Sequence, residues 1–240
     1  MRQLQRALSL IYPNQCVLCE TRVEERGGLC AECWRETPFL TGLLCETCGA
    51  SLPGEDAGQV FCDDCMALPR PWEQGRAALS YRGTGRRVVL ALKHADRLDL
   101  VPACAGWMAR AGREVLTEDT LLVPIPVHWT RRLTRRYNQA AELCRGLSAA
   151  TGLDAEPDGL FRTRRTPKQD GMTVGQRFAN MADAIQPNPK TQSRMEGRRL
   201  CLFDDVMTSG ATLSSATGAL FAAGAKQVCV LVLARVEKAP

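Results

Sequence analysis

Two groups of residues in this chain have types and spacing that could do chemistry. The first lies in LCLFDDVMTSGATLSSATGAL, residues 200–220. It reads as an apolar strand, an acidic pair (Asp204 and Asp205), a small-residue turn and a helix. Gly210 lets the backbone approach an anion closely. Thr208, Ser209 and Thr212 offer hydroxyl donors, and with Ala211 they lead into a helix whose first N–H groups carry partial positive charge. Residues 208–212 are therefore expected to hold a phosphate. The glycine order and the lysine of a Walker loop are absent. Carboxylates beside a phosphate repel it unless the ligand also presents hydroxyls or a magnesium ion. A ribose 5-phosphate meets the demand, with its hydroxyls donating to Asp204 and Asp205 and its phosphate on the turn. Charge-assisted bonds of this kind contribute roughly 1.5–3 kcal/mol each. Magnesium, which prefers carboxylate, phosphate and water oxygens, would offset the charge of a further diphosphate. By the same reasoning Gly210→Val is expected to occupy the phosphate position and abolish binding, with little change in thermal stability.

The second group is the cysteines. Of twelve, eight fall in the first 65 residues as four C-x-x-C pairs: Cys16/Cys19, Cys30/Cys33, Cys45/Cys48 and Cys62/Cys65. Each such turn brings two thiolates to one tetrahedral metal, and a second turn closes the site. Eight ligands make two zinc sites of four thiolates each, closed and therefore structural. Residues 12–70 are poor in long apolar runs and rich in Gly, Pro and Glu. Metal must hold such a segment together, and zinc supplies roughly 10–16 kcal/mol in small domains. Sequential pairing, first four with last four, is the expectation; spacing alone leaves a crossed arrangement open. Cys104, Cys144, Cys201 and Cys229 lie in apolar contexts and read as small core residues.

The elements that must position these groups follow from the rest of the chain. At 240 residues and net charge +5 it can bury a core and is only mildly basic, far from a dedicated nucleic-acid coat. No apolar stretch is long enough to span a bilayer. Leu4, Ala7, Leu8 and Ile11 have helical spacing, without the apolar core and cleavage site of a secretory signal. A short amphipathic helix and a cytoplasmic protein without membrane insertion are expected. The texture changes at Pro69-Arg70-Pro71, which divides the chain into residues 1–70 and 71–240. Beyond it the patterning predicts strands at 78–81, 121–127, 200–203 and 228–234. Helices are predicted at 88–93, 100–116, 138–150, 174–184 and 212–223, a basic turn-like segment at 157–173 and a loop at 204–211. Apolar strands alternating with helices imply an α/β fold with a parallel sheet covered on both faces.

FDDVMTSGATL resembles the phosphoribosyl pyrophosphate (PRPP) binding motif of type I phosphoribosyltransferases. More narrowly, the chain resembles the ComF competence-protein family, which joins an N-terminal double zinc ribbon to a phosphoribosyltransferase domain. The resemblance covers nearly the full length. It also rests on ALKHADR (91–97), VPIPVHWTRRLTRRYNQA (123–140) and RTRRTPKQDGMTVGQRFAN (162–180). It implies that Pro126 and Arg132 form or adjoin a loop that holds pyrophosphate, and that Arg135, Asn138 and Gln139 match the family's R-G-F-N-Q signature. It further implies that residues 162–177, with Arg162, Arg164, Arg165 and Lys168, close over the diphosphate. Such charges stabilise a leaving pyrophosphate and exclude water. The implied catalytic set is Asp204, Asp205, Arg162 and Lys168. Lys93 either reaches a phosphate or caps its helix. The chain departs from the family at His94, Arg136-Tyr137, Met172-Thr173 and Met207. His94 and His128 read as polar loop residues, and Trp107 and Trp129 as packing residues.

The implied function is PRPP binding with magnesium, and transfer of its phosphoribosyl group to an acceptor in DNA uptake or nucleotide metabolism. One alternative is a non-catalytic competence protein that binds single-stranded DNA under PRPP control; another is a structural adaptor whose zinc knuckles dock a partner such as a DNA-processing protein. The sequence names neither acceptor nor oligomeric state.

Overall fold

The computed structural model describes residues 14–24, 27–55, 58–94, 97–126, 139–167, 169 and 171–237. The expected N-terminal helix lies outside them, as do His128, Trp129, Arg132, Arg135, Asn138 and Lys168.

Four strands form one parallel sheet. They are β1 (Gly75–Ser80), β2 (Leu121–Pro124), β5 (Arg199–Met207) and β6 (Gln227–Arg235), in the order β1-β6-β5-β2. Alternate residues of the central strands feed two cores. Leu200, Leu202, Val228, Val230 and Val232 face one; Cys201, Phe203, Cys229, Leu231 and Leu233 face the other. Between β1 and β2 run α3 (Gly83–His94) and α4 (Val101–Ala111), and α5 (Gln139–Thr151) follows β2. Val88, Val89, Cys104, Trp107, Met108, Leu143 and Leu147 from these helices cover the second face. The first face is covered by α7 (Ala211–Ala222). It is also covered by a small antiparallel pair, β3 (Leu160–Arg162) with β4 (Ile185–Pro187), joined through α6 (Val174–Met181). The capping box of Thr173 and Gln176 starts α6.

Several expected boundaries move. Residues 204–207, read as loop, continue β5, because the nine-residue β6 keeps offering partners: Asp204 lies opposite Val232, Val206 opposite Ala234 and Met207 opposite Arg235. The expected single helix over 100–116 is a 3-10 turn at Leu98–Leu100 followed by α4, which stops at Gly112. Within 157–173, read as turn-like, residues 160–162 form β3.

The cysteine-rich segment is built onto the edge of the sheet. Residues 38–40 run antiparallel to β1, with the Leu40 N–H donating to the Ala78 carbonyl (3.0 Å) and the Ser80 N–H to the Pro38 carbonyl (2.8 Å). An edge that would otherwise offer unpaired backbone groups is thereby covered. The first metal knuckle contributes Val17 to the core on the helix α3–α5 face; the second contributes Cys45, Cys48 and Trp72 to the core on the α7 face. Helices α1 (Ala31–Glu36) and α2 (Asp63–Ala67) start at Cys30 and Cys62. Trp107 is buried and meets Phe39 edge-on at 5.5 Å, a packing role as expected. Cys104 and Cys144 are buried core residues, and burial pushes their thiols up to about 12 and about 11.

Candidate functional site: an acidic strand end and a phosphate turn

Each cysteine quartet is sequential: Cys16, Cys19, Cys30 and Cys33 in one, Cys45, Cys48, Cys62 and Cys65 in the other. Within each, the sulfurs lie within 4.8 Å of one another. The Cys33 N–H points at the Cys30 sulfur (3.4 Å), and the Cys62 N–H at the Cys45 sulfur (3.3 Å). Such bonds favour thiolate over thiol. Four converging sulfurs with backbone donors fit tetrahedral zinc at both sites and leave no open ligand position.

The second candidate site is at the carboxyl end of β5, where ligands of open α/β sheets sit. Asp204 and Asp205 are half-buried at this end. The Asp205 N–H donates to Asp204 Oδ1 at 2.8 Å. Lys93, near the end of α3, places its Nζ 3.0 Å from Asp205 Oδ1. Lys93 thus faces the acidic pair. Burial pulls the Lys93 ammonium down, but the charges of Asp205 and Asp204 outweigh it and hold it raised. Burial, and then the charge of Asp205, push Asp204 up to about 7 against the opposing pull of Lys93 and Arg162. Burial and Asp205 thus favour the protonated form of Asp204, and Lys93 stands against Asp205; both lessen the negative charge the pair presents to an approaching phosphate.

After Met207 the chain turns through Thr208 and Ser209 to Gly210, which stands at the N-cap of α7 in the left-handed region (φ 81°). No side chain caps this helix end, and the Ala211 N–H finds the Ser209 hydroxyl only at 3.4 Å. Donors and helix dipole are thus directed at the space over the turn. On the neighbouring strand, Pro126 follows β2, and Arg162 at the end of β3 donates from Nε to the Pro126 carbonyl at 2.8 Å and from Nη1 to Thr166 Oγ1 at 2.9 Å. The structure brings together Asp204, Asp205, Thr208–Thr212, Lys93, Arg162 and Pro126 from four stretches of sequence.

Three residues at this site carry no signal in sequence. Arg235, buried at the end of β6, donates from Nη1 to the Thr208 carbonyl at 2.8 Å. Arg70 donates from Nη1 to the Ser209 carbonyl at 2.6 Å. Trp72 lies against Gly210. A proline-bracketed arginine before a tryptophan, and an arginine ending an apolar strand, are the only marks they leave.

These contacts also correct the expectation for Gly210→Val. A Cβ on Gly210 would meet Arg70 Nη1 and Trp72 Cη2 at 3.2 Å each, and positive φ strains any L side chain. The added side chain is stopped by protein, so stability falls as well.

The fold defines the class: an α/β protein with a helix-flanked parallel sheet, bearing an N-terminal double zinc ribbon with two four-cysteine sites. The double zinc ribbon domain model matches residues 7–66. The chain is a homologue of the DNA utilization protein YhgH of Escherichia coli K12, 28% identical over 94% of this chain and 99% of that protein. It is likewise related to competence protein F of Haemophilus influenzae, 23% identical over 92% and 96%. Solved structures with partial likeness include the allosteric regulatory enzyme of purine biosynthesis (TM-score 0.38, 19% identity, 60% of this chain and 30% of that one). Another is the glutamine PRPP amidotransferase of B. subtilis (TM-score 0.39, 18% identity, 59% and 30%). This chain spans under a third of those proteins, and overlap at this level carries no argument about activity. Among the described residues no helix is long and apolar enough to cross a membrane.

Proposed function

We propose that the chain binds PRPP with magnesium at the end of β5 and transfers its phosphoribosyl group to an acceptor in the use of incoming DNA or in nucleotide metabolism. The observation that carries this reading is the placement of Asp204 and Asp205 within the last four residues of β5, ahead of a short turn into a helix end with Gly210 at its N-cap and no N-cap side-chain bond. In this reading the two aspartates accept from the ribose hydroxyls, and the N–H and hydroxyl groups of Thr208–Thr212 hold the 5-phosphate. Arg162, bonded to the Pro126 carbonyl, faces the diphosphate; Arg132 and Lys168, implied by the resemblance, lie outside the described residues. The hard oxygens of Asp204 and Asp205 suit magnesium, which would neutralise diphosphate charge. Transfer forms a bond from an acceptor nitrogen to the anomeric carbon. The bond to the pyrophosphate oxygen breaks, that oxygen leaves with the electron pair, and the nitrogen loses its proton. No covalent enzyme nucleophile is needed, and the chain's residues act by positioning and charge.

The names of the relatives support the setting in DNA use. We take residues 1–70 and 71–240 as the two domains. We place the protein in the cytoplasm, where thiols stay reduced and available to zinc. The test is calorimetric titration of PRPP into zinc-loaded protein with and without magnesium, with Asp205→Asn as the control. Magnesium-dependent binding that disappears in the variant is expected. Absence of binding by the unmodified protein refutes the proposal.

A further inference from the structure

The Thr208–Thr212 turn contains no cationic side chain, yet two guanidinium groups lie directly behind it. Arg235 donates from Nη1 to the carbonyls of Thr208 (2.8 Å), Met207 (3.4 Å) and Val236. Arg70 donates to the carbonyl of Ser209 (2.6 Å). In a trans peptide the C=O and the following N–H point in opposite directions. Holding the Thr208 and Ser209 carbonyls toward the arginines therefore turns the N–H groups of Ser209 and Gly210 to the opposite side. Among the described residues the buried Nε atoms of both arginines find no hydrogen-bond partner, so the bonds of each guanidinium that reach the turn are those of Nη1 to its carbonyls. The positive charge that a Walker loop draws from its own lysine is here delivered through the backbone from outside the turn.

Arg70 comes from the metal-binding segment. It lies five residues after the ligand Cys65 and two before Trp72. Trp72 is 3% exposed, and its Nε1 donates to the Thr47 carbonyl at 2.6 Å, between the ligands Cys45 and Cys48. The same knuckle is locked to β1: a Cβ on Gly75 would meet the Thr47 carbonyl oxygen at 2.2 Å, and one on Gly49 the Ala77 nitrogen at 2.7 Å. The second knuckle, Trp72, Arg70 and the turn form one continuous chain of contacts.

We infer that Arg70 is a positioning residue for the anion site, held in place by the second four-cysteine knuckle through Trp72, so that the zinc ribbon sets the affinity of the turn for the 5-phosphate of a ribose ligand. This inference rests on reading the turn as the phosphate site. The test compares unmodified protein, Arg70→Ala and Arg70→Lys, all zinc-loaded. Affinity for ribose 5-phosphate and PRPP is measured by calorimetry, and amide hydrogen exchange at residues 207–213 is measured without ligand. Arg70→Ala is expected to bind tenfold or more weakly and to exchange faster at these amides, with two zinc ions per chain retained; Arg70→Lys recovers part of both. Binding and exchange unchanged in Arg70→Ala overturn the inference. If the unmodified protein binds neither ligand, the proposed function fails and exchange alone decides the brace: faster exchange in Arg70→Ala supports it, unchanged exchange overturns it. Should Arg70→Ala not fold, Trp72→Phe replaces it. That variant keeps an aromatic side chain at position 72 but loses the donor to Thr47, and the same two outcomes decide.

Discussion

Replacing Gly210 separates two physical costs that the turn keeps together. Gly210 sits at φ 81° with Arg70 Nη1 and Trp72 Cη2 at 3.2 Å from any Cβ placed on it. Alanine in the left-handed region costs roughly 1–2 kcal/mol. The gain from a stiffer unfolded chain, about 0.4–1 kcal/mol, is smaller than the losses where φ is positive. Valine adds two methyl groups against the buried Trp72 ring and the arginine, and overpacking costs about 1–3 kcal/mol more. For a chain of this size each kcal/mol lowers the melting midpoint by about 2–4 °C. Net of that gain, Gly210→Ala is expected to melt about 1–6 °C lower, and Gly210→Val lower still. The assay is thermal melting of zinc-loaded, ligand-free protein, followed by near-ultraviolet circular dichroism. Truncating Arg70 removes one of the two walls, so in an Arg70→Ala background the extra penalty of valine over alanine should shrink. The reasoning is refuted if Gly210→Val melts with the unmodified protein, or if its excess penalty is the same with and without Arg70.

Three further outcomes are expected. Asp204 keeps its proton in the folded chain up to about pH 7, through burial and the neighbouring Asp205, while an unfolded aspartate loses it near pH 4. The folded state binds the extra proton in that window, so this group's stabilisation is complete below pH 4 and is lost as pH rises toward 7. The loss is at most about 4 kcal/mol, and denaturant titrations of Asp204→Asn should lack this slope. Lys93→Met leaves Asp205 without its 3.0 Å cation. It should weaken PRPP binding at least tenfold in calorimetry, whereas Lys93→Arg should retain most of it. Metal analysis should find two zinc ions per chain, and a strong chelator should collapse the ribbon segment, seen as loss of amide protection over 38–52 and 62–75. Protection that survives complete zinc removal would contradict a metal-held ribbon.

Much of the site was legible because its signals are local. A C-x-x-C turn places two sulfurs by its own backbone geometry, and a strand, an acidic pair and a glycine turn before a helix fall within a dozen residues. The pairing of the cysteine turns was not local. Spacing allowed a crossed arrangement, and the docking of each quartet on its own side of β1 decided it. The length of β5 was likewise decided by β6, whose pairing carries Asp204 and Asp205 out of the expected loop and onto the sheet.

The sequence by itself determined which chemistry the chain carries: eight thiolates for metal, two carboxylates, and a lysine-free turn able to hold an anion. Only the tertiary structure decided how that chemistry is tuned. The lysine that faces Asp205 lies more than a hundred residues away in sequence, and the arginines behind the turn come from residues 70 and 235. Their roles depend on charge and carbonyl direction at distances of about 3 Å, which neighbours in space set and residue order does not. The proton that Asp204 retains near neutral pH has the same origin, because burial and the adjacent charge exist only once β5 is packed among its partners.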